Sequence, residues 1–387
     1  MMKRECAIFF VWLGMMTTGC SSDEQRQQEE LFGFLLGTPD RREVGYSIAV
    51  TSNGEYVIIG RYEDATSRSF PYIAKTYNNG DTIWTLSMKD SANISAIEPA
   101  VDQGFVVAGS NYAVNSAIVM KVSDDGNIVW KRLFLDYSGV TALKPTQDGG
   151  YVVLISGFKT TGHVGLIKLD VMGNLVWEKR YESRSDYRDV PRALETIGTG
   201  YLLLINTTNS NSSFYSSYII RTDLNGDTLW TKKISEEIGY INFLRNNKEQ
   251  LLLTGNGGTQ KYNKFYLLTG VMRLDSNGTI LMSKTIEVRN FNLINSVAET
   301  NSGEYLLAGN GGNYGSHAIV MKLDSTGNWL WSKLYSRAAG SYGFSMKPGN
   351  DGHFVLVGTG YPDYSANSYY YSDIFVFAID ANGNVIE

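Results

Sequence analysis

The sequence predicts an all-β protein, a seven-bladed β-propeller built from four-stranded antiparallel blades. A phrase of the form Lys-Leu-Asp-x-x-Gly-Asn-x-x-Trp-x-Lys recurs along the chain. Its glycine stands at Gly80, Gly126, Gly173, Gly226, Gly278, Gly327 and Gly383. The spacings of 46, 47, 53, 52, 49 and 56 residues match the period of propeller blades. Forty glycines and 12% aromatic residues are typical of many short strands joined by tight turns.

Three other residue types recur with that glycine, two of them at fixed distances from it. Four residues after it, the repeat places Trp84, Trp130, Trp177, Trp230, Met282, Trp331 and Glu387. The second strand of each predicted blade opens with Tyr56, Phe105, Tyr151, Tyr201, Leu251, Tyr305 and Phe354. Five residues before the glycine stand Lys75, Lys121, Lys168, Arg221, Arg273, Lys322 and, as the exception, Ala378. We interpret the tryptophans as structural residues between blades and the basic row as lying on strand edges, where charge discourages further pairing.

Blade three shows why each element is expected. Its predicted order is strand 142–146, turn 148–150, strand 151–155, loop 157–162, strand 164–169, turn 170–174 and strand 175–181. The turn Asp148-Gly149-Gly150 needs a positive φ. The following run Tyr-Val-Val-Leu-Ile is apolar throughout, as expected for a strand that is buried on both faces. Gly173 is placed for the left-handed conformation of a hairpin turn.

The two ends of the array predict how the ring closes. The chain reaches Glu387 where a seventh tryptophan would stand, so the last blade lacks its fourth strand. An apolar segment precedes the first full repeat, and a shift of 145 residues places its Phe32 at the position of Trp177. The same shift places Leu36 at the position of Tyr181. An N-terminal strand is therefore predicted to complete the last blade, which removes the exposed sheet edges of an open array.

The first thirty residues are predicted to be an export signal and a tether. Lys3 and Arg4 precede an apolar run, 7–16, that is too short to span a bilayer. Thr17-Thr18-Gly19-Cys20 resembles the lipobox of bacterial lipoprotein signals, which implies that residues 1–19 are removed and that Cys20 is lipidated. The acidic residues that follow resemble the surface-export signal of Bacteroidota-type lipoproteins. Residues 20–30 then form a flexible tether and 31–387 a single propeller. An ordinary secretory signal or a short membrane anchor is the alternative.

Composition limits the partners. Charged residues are 19% of the chain and the net charge is −5, so no basic surface for nucleic acid is expected. The two cysteines are Cys6 and Cys20, and removal of the signal would leave no thiol for a disulfide or a metal. The predicted partners are the membrane, through the lipid anchor, and a glycan or protein ligand. The oligomeric state stays open.

Two phrases carry a resemblance to a known superfamily. Lys-Leu-Asp-Ser-Thr-Gly-Asn-Trp-Leu-Trp at 322–331 and Thr-Asp-Leu-Asn-Gly-Asp-Thr-Leu-Trp at 222–230 resemble the tryptophan docking motif of quinoprotein-like propellers. The resemblance extends over residues 31–387 and implies the propeller fold. That superfamily includes quinone-dependent dehydrogenases and a non-enzymatic outer-membrane assembly lipoprotein. Its enzymes generally need Glu, Asn and Asp around a calcium ion, often beside a vicinal disulfide. None of these residues maps onto this chain, so no cofactor is predicted.

The histidines and the Asp-x-Asn-Gly segments, which could in principle bind a metal, are better explained as loop and turn residues. His163 and His317 precede the third strands of blades that are three apart, and His353 follows a tight turn. Asp-x-Asn-Gly turns, which invite a calcium interpretation, occur at 223–226, 275–278 and 380–383. Their glycine is at position four and they lack a Glu at position twelve, whereas an EF-hand loop needs glycine at six and Glu at twelve. We therefore predict no metal site and no catalytic residue.

Length variation is concentrated on one predicted face. If the strands alternate in direction, the Asp-Gly-Gly and Asp-x-x-Gly turns share a face of nearly constant length. The loops between strands two and three, and those between blades, share the opposite face and are rich in Tyr, Asn and Ser, which suits recognition. The predicted ligand-binding residues are Tyr112, Arg184, Tyr187, Phe214, Tyr215, Tyr262, Tyr314, Tyr361, Tyr364, Tyr369, Tyr370 and Tyr371. Loops that are merely polar and flexible are the alternative.

The sequence thus favours an outer-membrane lipoprotein, exposed at the cell surface, with a non-catalytic propeller that binds a glycan or a protein. Aromatic loops favour a glycan, because sugar faces stack on aromatic rings. One alternative is an envelope assembly scaffold that binds other membrane proteins. The other is a quinoprotein-like or lyase-type enzyme, for which carboxylates in the central channel would be expected.

Overall fold

The computed structural model describes residues 29–30, 33–37, 41–64, 66–89, 91–157, 163–181, 187–209, 215–235, 238–246, 248–261, 264–287, 291–311, 317–336, 341–361 and 372–386. These residues form seven sheets that are arranged as the blades of a ring. Within a blade the strands pair antiparallel in chain order, with the first strand beside the central channel and the fourth on the outer rim. The predicted seven-bladed β-propeller is confirmed.

Two short strands precede the first complete blade, β1 (Glu29–Glu30) and β2 (Phe34–Leu36). Blade one contains β3 (Arg42–Val50), β4 (Tyr56–Glu63), β5 (Ser69–Thr76) and β6 (Thr82–Ser87). Blade two contains β7 (Ala92–Pro99), β8 (Phe105–Asn111), β9 (Ser116–Val122) and β10 (Ile128–Phe134). Blade three contains β11 (Gly139–Pro145), β12 (Tyr151–Ser156), β13 (Val164–Leu169) and β14 (Leu175–Tyr181).

Blade four contains β15 (Tyr187–Ile197), β16 (Gly200–Asn209), β17 (Tyr215–Thr222) and β18 (Thr228–Ser235). Blade five contains β19 (Ile238–Arg245), β20 (Leu251–Lys261), β21 (Lys264–Leu274) and β22 (Ile280–Glu287). Blade six contains β23 (Phe291–Glu299), β24 (Tyr305–Gly311), β25 (His317–Leu323) and β26 (Trp329–Ser336). Blade seven contains β27 (Ser341–Pro348), β28 (Phe354–Gly360), β29 (Asp373–Ile379) and β30 (Val385–Ile386).

The hydrophobic core is divided among the interfaces between blades. Seven clusters of buried side chains exist, and each combines residues of two neighbouring blades. One of them joins Ile48 and Ile58 of blade one to Val355 and Val357 of blade seven. The second and third strands supply most of these residues because both of their faces are covered, which explains their nearly continuous apolar runs. Burial is thus continuous around the ring.

The tryptophans of the repeat lie against the hairpin turn of the following blade. Six glycines, each in a hairpin between strands three and four, meet the side chains of Trp84, Trp130, Trp177, Trp230, Met282 and Trp331. At Gly226 the φ angle is +79°, and an added Cβ would lie 2.9 Å from the Trp177 ring. The left-handed turn and the close ring therefore both require glycine there. The motif is a contact between blades, which is why it recurs once per blade.

The prediction that the basic row lies on strand edges is wrong. These residues are on the third strands, which are paired on both sides. The four lysines and Arg221 are buried beneath the turns between strands one and two, whereas Arg273 is partly exposed and donates to Ser325 O at 2.7 Å. Lys168 Nζ lies 2.9 Å from Asp148 Oδ1 and 2.9 Å from Thr146 Oγ1. Equivalent ion pairs join Lys75 to Glu55, Lys121 to Asp102 and Lys322 to Glu304. A buried amine needs such a partner, so the four lysines of the row neutralise acidic turns.

The N-terminal strand β2 completes blade seven, as predicted. It pairs antiparallel with β29, and Leu36 lies opposite Ile374. Tyr181 lies opposite Val164 in blade three, so the register agrees with the 145-residue alignment. β30 pairs with the other end of β29, so two separate segments share the outer position of this blade. The ring is closed without a covalent link.

The closing contact is made by Phe34, which stands at the position of Lys179 in the 145-residue alignment. The ring of Phe34 lies against Gly80 of blade one, where an added Cβ would approach it to 2.5 Å. Phe32, predicted for the tryptophan position, is outside the described residues. Before this point, Glu29–Glu30 of the predicted tether pair in parallel with Tyr335 and Ser336 on the rim of blade six.

Candidate functional site

The antiparallel blades sort the connections onto two faces. The turns between strands one and two and between strands three and four lie on one face, which we call the turn face. The connections between strands two and three and those between blades lie on the other, which we call the loop face. The hairpins of the turn face repeat the same bonds, such as Gly173 N–H to Asp170 O at 3.0 Å and Asp170 N–H to Asn174 O at 2.9 Å. The two faces therefore differ in regularity.

Four of the twelve predicted ligand-binding residues lie in the described part of the chain, all at loop-face ends of strands. Tyr112 follows β8 and is 55% exposed. Tyr187 opens β15 and Tyr215 opens β17. Tyr361 follows β28 and packs edge-on against Tyr342, with ring centroids 5.9 Å apart. The other eight lie outside the described residues: Arg184, Phe214, Tyr262, Tyr314, Tyr364, Tyr369, Tyr370 and Tyr371.

Every inner strand carries a β-bulge at one repeat position, about midway along the strand. The pairing of β3 with β4 shows the pattern, because Gly45 pairs with Gly60 and Ser47 with Ile59, which leaves Tyr46 unpaired. The extra residues of the seven bulges are Tyr46, Ser95, Thr141, Arg192, Ile241, Asn295 and Phe344. Each remains partly exposed. Bulges often re-aim side chains next to functional sites.

Sequence reasoning missed these bulges, although a signal is present. Glycines stand opposite five of them, at Gly60, Gly109, Gly255, Gly309 and Gly358. A Cβ added to Gly109 would lie 1.8 Å from the carbonyl oxygen of Asn93 on the inner strand. Only glycine permits that approach of two backbones. A glycine repeated at the end of the second strand could therefore have identified the position.

Tyr46, Arg61 and Phe344 form a cluster at the loop-face mouth, which we call the mouth cluster. The Tyr46 and Phe344 rings meet edge to face, with centroids 6.1 Å apart. The Arg61 guanidinium carbon lies 5.9 Å from the Tyr46 ring, and Arg61 Nη2 lies 3.0 Å from Glu63 Oε1. Burial raises the pKa of the Tyr46 phenol and Arg61 partly offsets it, so the phenol stays protonated at neutral pH. It can both donate and accept a hydrogen bond.

Aromatic and cationic side chains continue outward from this cluster along blade one. The Arg41 guanidinium carbon lies 4.9 Å from the Tyr62 ring, and Tyr62 stacks on Phe70 at 5.3 Å. Arg68 lies 5.5 Å from the Phe70 ring and 2.7 Å from Asp64 Oδ2. Exposed cation–π contacts of this kind contribute about 0.5–1 kcal/mol each. They pre-orient ring faces and guanidinium groups that a polar ligand could meet.

The channel also holds four charged residues at one position of the inner strands. They are Glu98, Lys144, Glu195 and Lys347, which we call the channel quartet; the other blades have Ala49, Leu244 and Ala298 there. Lys144 Nζ lies 3.0 Å from Glu98 Oε1 and 4.0 Å from Glu195 Oε2. Burial lowers the pKa of Lys144, but these two carboxylates outweigh it and the pKa is raised. Burial also raises the pKa of Glu195, against the effect of Lys144.

A cavity of about 1020 Å³ opens on the turn face, at the seam between blades seven and one. Its lining includes Tyr77, Asp351, His353 and Ala378. Ala378 stands where six other blades carry a lysine or an arginine, and the outer strand of blade seven is split. Asn350 Nδ2 bridges the seam by donating to Thr51 O at 3.0 Å and Ser52 O at 2.9 Å. The cavity is therefore a local departure from the repeat.

Two features, a metal cluster and a membrane-spanning helix, are absent from the described residues. These residues contain no group of three or more His, Cys, Asp or Glu side chains arranged to hold a metal ion. No helical segment with the length and hydropathy of a membrane span occurs among them. The residues of the predicted signal, Cys20 included, lie outside this part of the chain.

No protein-family model matches the chain, and no curated protein matches it. Among solved structures, it is similar to Drosophila Semaphorin 1b, extracellular domains 1–2, at 8% identity over 91% of this chain and 87% of that one, with a TM-score of 0.54. The β-propeller domain of the Trilobed protease from Pyrococcus furiosus matches at 11% identity, covering 88% and 97%, with a TM-score of 0.49. A protein of unknown function from Bacteroides caccae matches at 12%, covering 76% and 93%, with a TM-score of 0.45. Such identities indicate a shared fold alone.

Proposed function

We propose that this protein is an outer-membrane lipoprotein, exposed at the cell surface, whose propeller binds a glycan through its loop face without catalysing a reaction. A protein ligand on the same face is the other form of the proposal. The observation that carries it is the mouth cluster, which places two aromatic rings and a guanidinium group at the loop-face opening. Ring faces stack on the apolar faces of sugars, and guanidinium and phenol groups bind hydroxyl and carboxylate oxygens.

The lipid anchor is proposed at Cys20, which lies outside the described residues. Replacing Cys20 by serine should move the protein from the membrane fraction to the soluble fraction. A membrane fraction unchanged by Cys20→Ser would contradict the lipid anchor.

A glycan array probed with the soluble fragment 21–387 tests the ligand. Phe344→Ala and Arg61→Met should each weaken binding by about tenfold, the effect expected for losing one central contact. A triple replacement of Tyr369, Tyr370 and Tyr371 by alanine should weaken it as well, with an unchanged melting temperature.

Tyr77→Ala is the matched control, because Tyr77 is 52% exposed on the opposite face. It should leave glycan binding unchanged. Binding that depends on Tyr77 and ignores the loop-face variants would refute the proposed face. No binding to any glycan would exclude the glycan form. Crosslinking in the intact envelope then separates a ligand on the loop face from an assembly scaffold, whose complexes would survive the triple variant.

An enzymatic role is the second candidate, and the channel quartet is what favours it. Glu98 and Glu195 bring two carboxylates into the channel, the arrangement that a quinoprotein-like or lyase-type enzyme would lead one to expect. Both carboxylates are paired with Lys144, however, whose Nζ lies 3.0 Å from Glu98 Oε1 and 4.0 Å from Glu195 Oε2. Absorbance of a bound quinone in protein purified from its native envelope would support this candidate.

A further inference from the structure

Lys347 differs from the other buried lysines of the propeller. Lys75, Lys121, Lys168 and Lys322 each have an acidic oxygen within 3 Å, and Lys144 has two carboxylates within 4 Å. Lys347 is partly buried, at a strand position shared with Glu98, Lys144 and Glu195, yet it has no such contact among the described residues. An amine removed from water without a counter-ion is costly. It therefore invites an anion from outside the chain.

Lys347 and the other three members of the channel quartet carry opposite excess charges. Burial lowers the pKa of its amine, Lys144 lowers it further, and Glu98 and Glu195 partly offset this. The two carboxylates share the single charge of Lys144, so that group carries one negative charge in excess. An excess positive charge on Lys347 thus faces an excess negative charge on the Glu98–Lys144–Glu195 group. The two excess charges sum to zero, but they lie on different residues of the channel.

The level of the channel next to these groups carries mostly small side chains. One level nearer the loop face, the inner strands carry Ser47, Ala96, Ala142, Ala193, Asn242, Ser296 and Ser345. Six of these seven side chains are alanine or serine, so this level is lined by small groups. Ser47 Oγ and Ser345 Oγ lie 3.5 Å apart, next to Tyr46 and Phe344 of the mouth cluster. A small molecule that enters at the mouth would reach the quartet past hydroxyl groups.

We propose that the channel quartet is a binding site for a small zwitterion, an α-amino acid by chemical class, whose carboxylate pairs with Lys347 and whose ammonium group pairs with Glu98 and Glu195. A ligand with a single charge would leave one end of the site unpaired, whereas a zwitterion satisfies both. Charge-assisted hydrogen bonds at each end supply the affinity. The site is separate from the loop-face surface and does not depend on its ligand.

Calorimetric titration of the fragment 21–387 with free α-amino acids, one at a time, tests this site. At least one should bind, while acetate and ethylammonium, which each carry one half of the charge pattern, should bind much more weakly. Lys347→Met should weaken binding by about a hundredfold, as expected when one partner of a buried ion pair is removed. Lys248→Met, at an exposed turn-face lysine, is the matched control and should leave the affinity unchanged.

Chemical labelling of the unaltered protein gives a second measurement that does not depend on a variant folding. Cyanate carbamylates neutral amines, so the Lys347 amine should react at neutral pH faster than the exposed Lys248, as followed by peptide mass spectrometry. The amino acid that binds should protect Lys347 and leave Lys248 reactive. Tight binding of acetate alone would reduce the site to one for simple anions and overturn the zwitterion. Absence of amino-acid binding, together with slow labelling of Lys347, would overturn the site itself.

Discussion

Two seams of the ring differ in the rim residues that cover the hairpin of the next blade. They are the seam between blades three and four and the seam between blades seven and one. At the first, Trp177 covers Gly226, the Tyr181 hydroxyl donates to Gly226 O at 2.7 Å, and Lys179 Nζ lies 2.6 Å from Asp227 Oδ1. Three side chains of one strand thus hold the next hairpin.

At the closing seam, among the described residues, the side chain nearest to the equivalent Gly80 is that of Phe34. Ala378 replaces the basic residue of the other blades, and a cavity of about 1020 Å³ remains. The core beneath is complete, because Ile48 and Val357 belong to one buried cluster that crosses this seam. The difference is therefore confined to the rim and the turn face. We infer that the inner core closes the ring and that the contribution of the rim contacts to stability differs from one seam to another.

Truncating the tryptophan should have the largest effect. Trp177→Ala should lower the free energy of unfolding by about 3 kcal/mol, at the low end for a large aromatic because the ring is only half-buried. Urea denaturation measures this value. Val176→Ala, at a neighbour that is 57% exposed, is the control and should change little.

Phe34→Ala should cost less at the closing seam, about 2 kcal/mol, because its ring is smaller and has no companion lysine or tyrosine there. An equal or larger loss would mean that the closing strand, and not the inner core, limits the stability of the ring.

Lys168→Met should have an intermediate effect that depends on pH. Burial raises the pKa of Asp148, but hydrogen bonds from Thr146 and Lys168 lower it to about 2. A carboxylate with a depressed pKa adds stability above its unfolded pKa of about 4, and this is lost as the pH falls through 2. Since the carboxylate is largely exposed, we expect a loss of about 1 kcal/mol at pH 7. Parallel stability curves for both proteins between pH 4 and pH 2 would contradict the ion pair.

The smallest effect should come from restoring the repeat at the closing seam. Ala378→Lys places an amine in the cavity beside Asp351, as Lys168 lies beside Asp148. We expect a gain of about 0.5 kcal/mol over Ala378→Met, which fills similar space without charge. Thermal unfolding of the two variants at neutral pH gives the comparison. A methionine variant that is as stable as the lysine variant would show that filling the cavity, not the charge, matters.

Much of the fold was predictable because the motif of one blade recurs seven times in the sequence. The recurrence of the residue types at Tyr151, Gly173 and Trp177 identified strands two to four, and the alignment of the repeats predicted the register of Leu36 in the closing strand. The burial of Lys168 was not predicted, because a basic residue in a strand is read as exposed unless its acidic partner is recognised. Asp148, twenty residues earlier, was read only as a turn residue.

The site was less predictable for a geometric reason. The bulge at Tyr46 adds one unpaired residue to a strand, and its mark in the sequence is indirect, a glycine on the neighbouring strand at Gly60. The channel quartet becomes a group only when blades two, three, four and seven are placed around one axis. Its members stand six or seven residues before the aromatic residue of the next strand, as Lys144 precedes Tyr151, so the repeat alignment contained their common position but not their proximity.

The repeated bulge has a consequence for how such a ring can change its specificity. An unpaired residue takes no part in the strand ladder, so its side chain can be exchanged while the hydrogen bonds of the blade persist. The seven bulges here carry seven different residue types: Tyr46, Ser95, Thr141, Arg192, Ile241, Asn295 and Phe344. They amount to seven independently variable positions around one opening, held on rigid strands. A library randomised at these positions alone would sample new recognition surfaces on an unaltered scaffold.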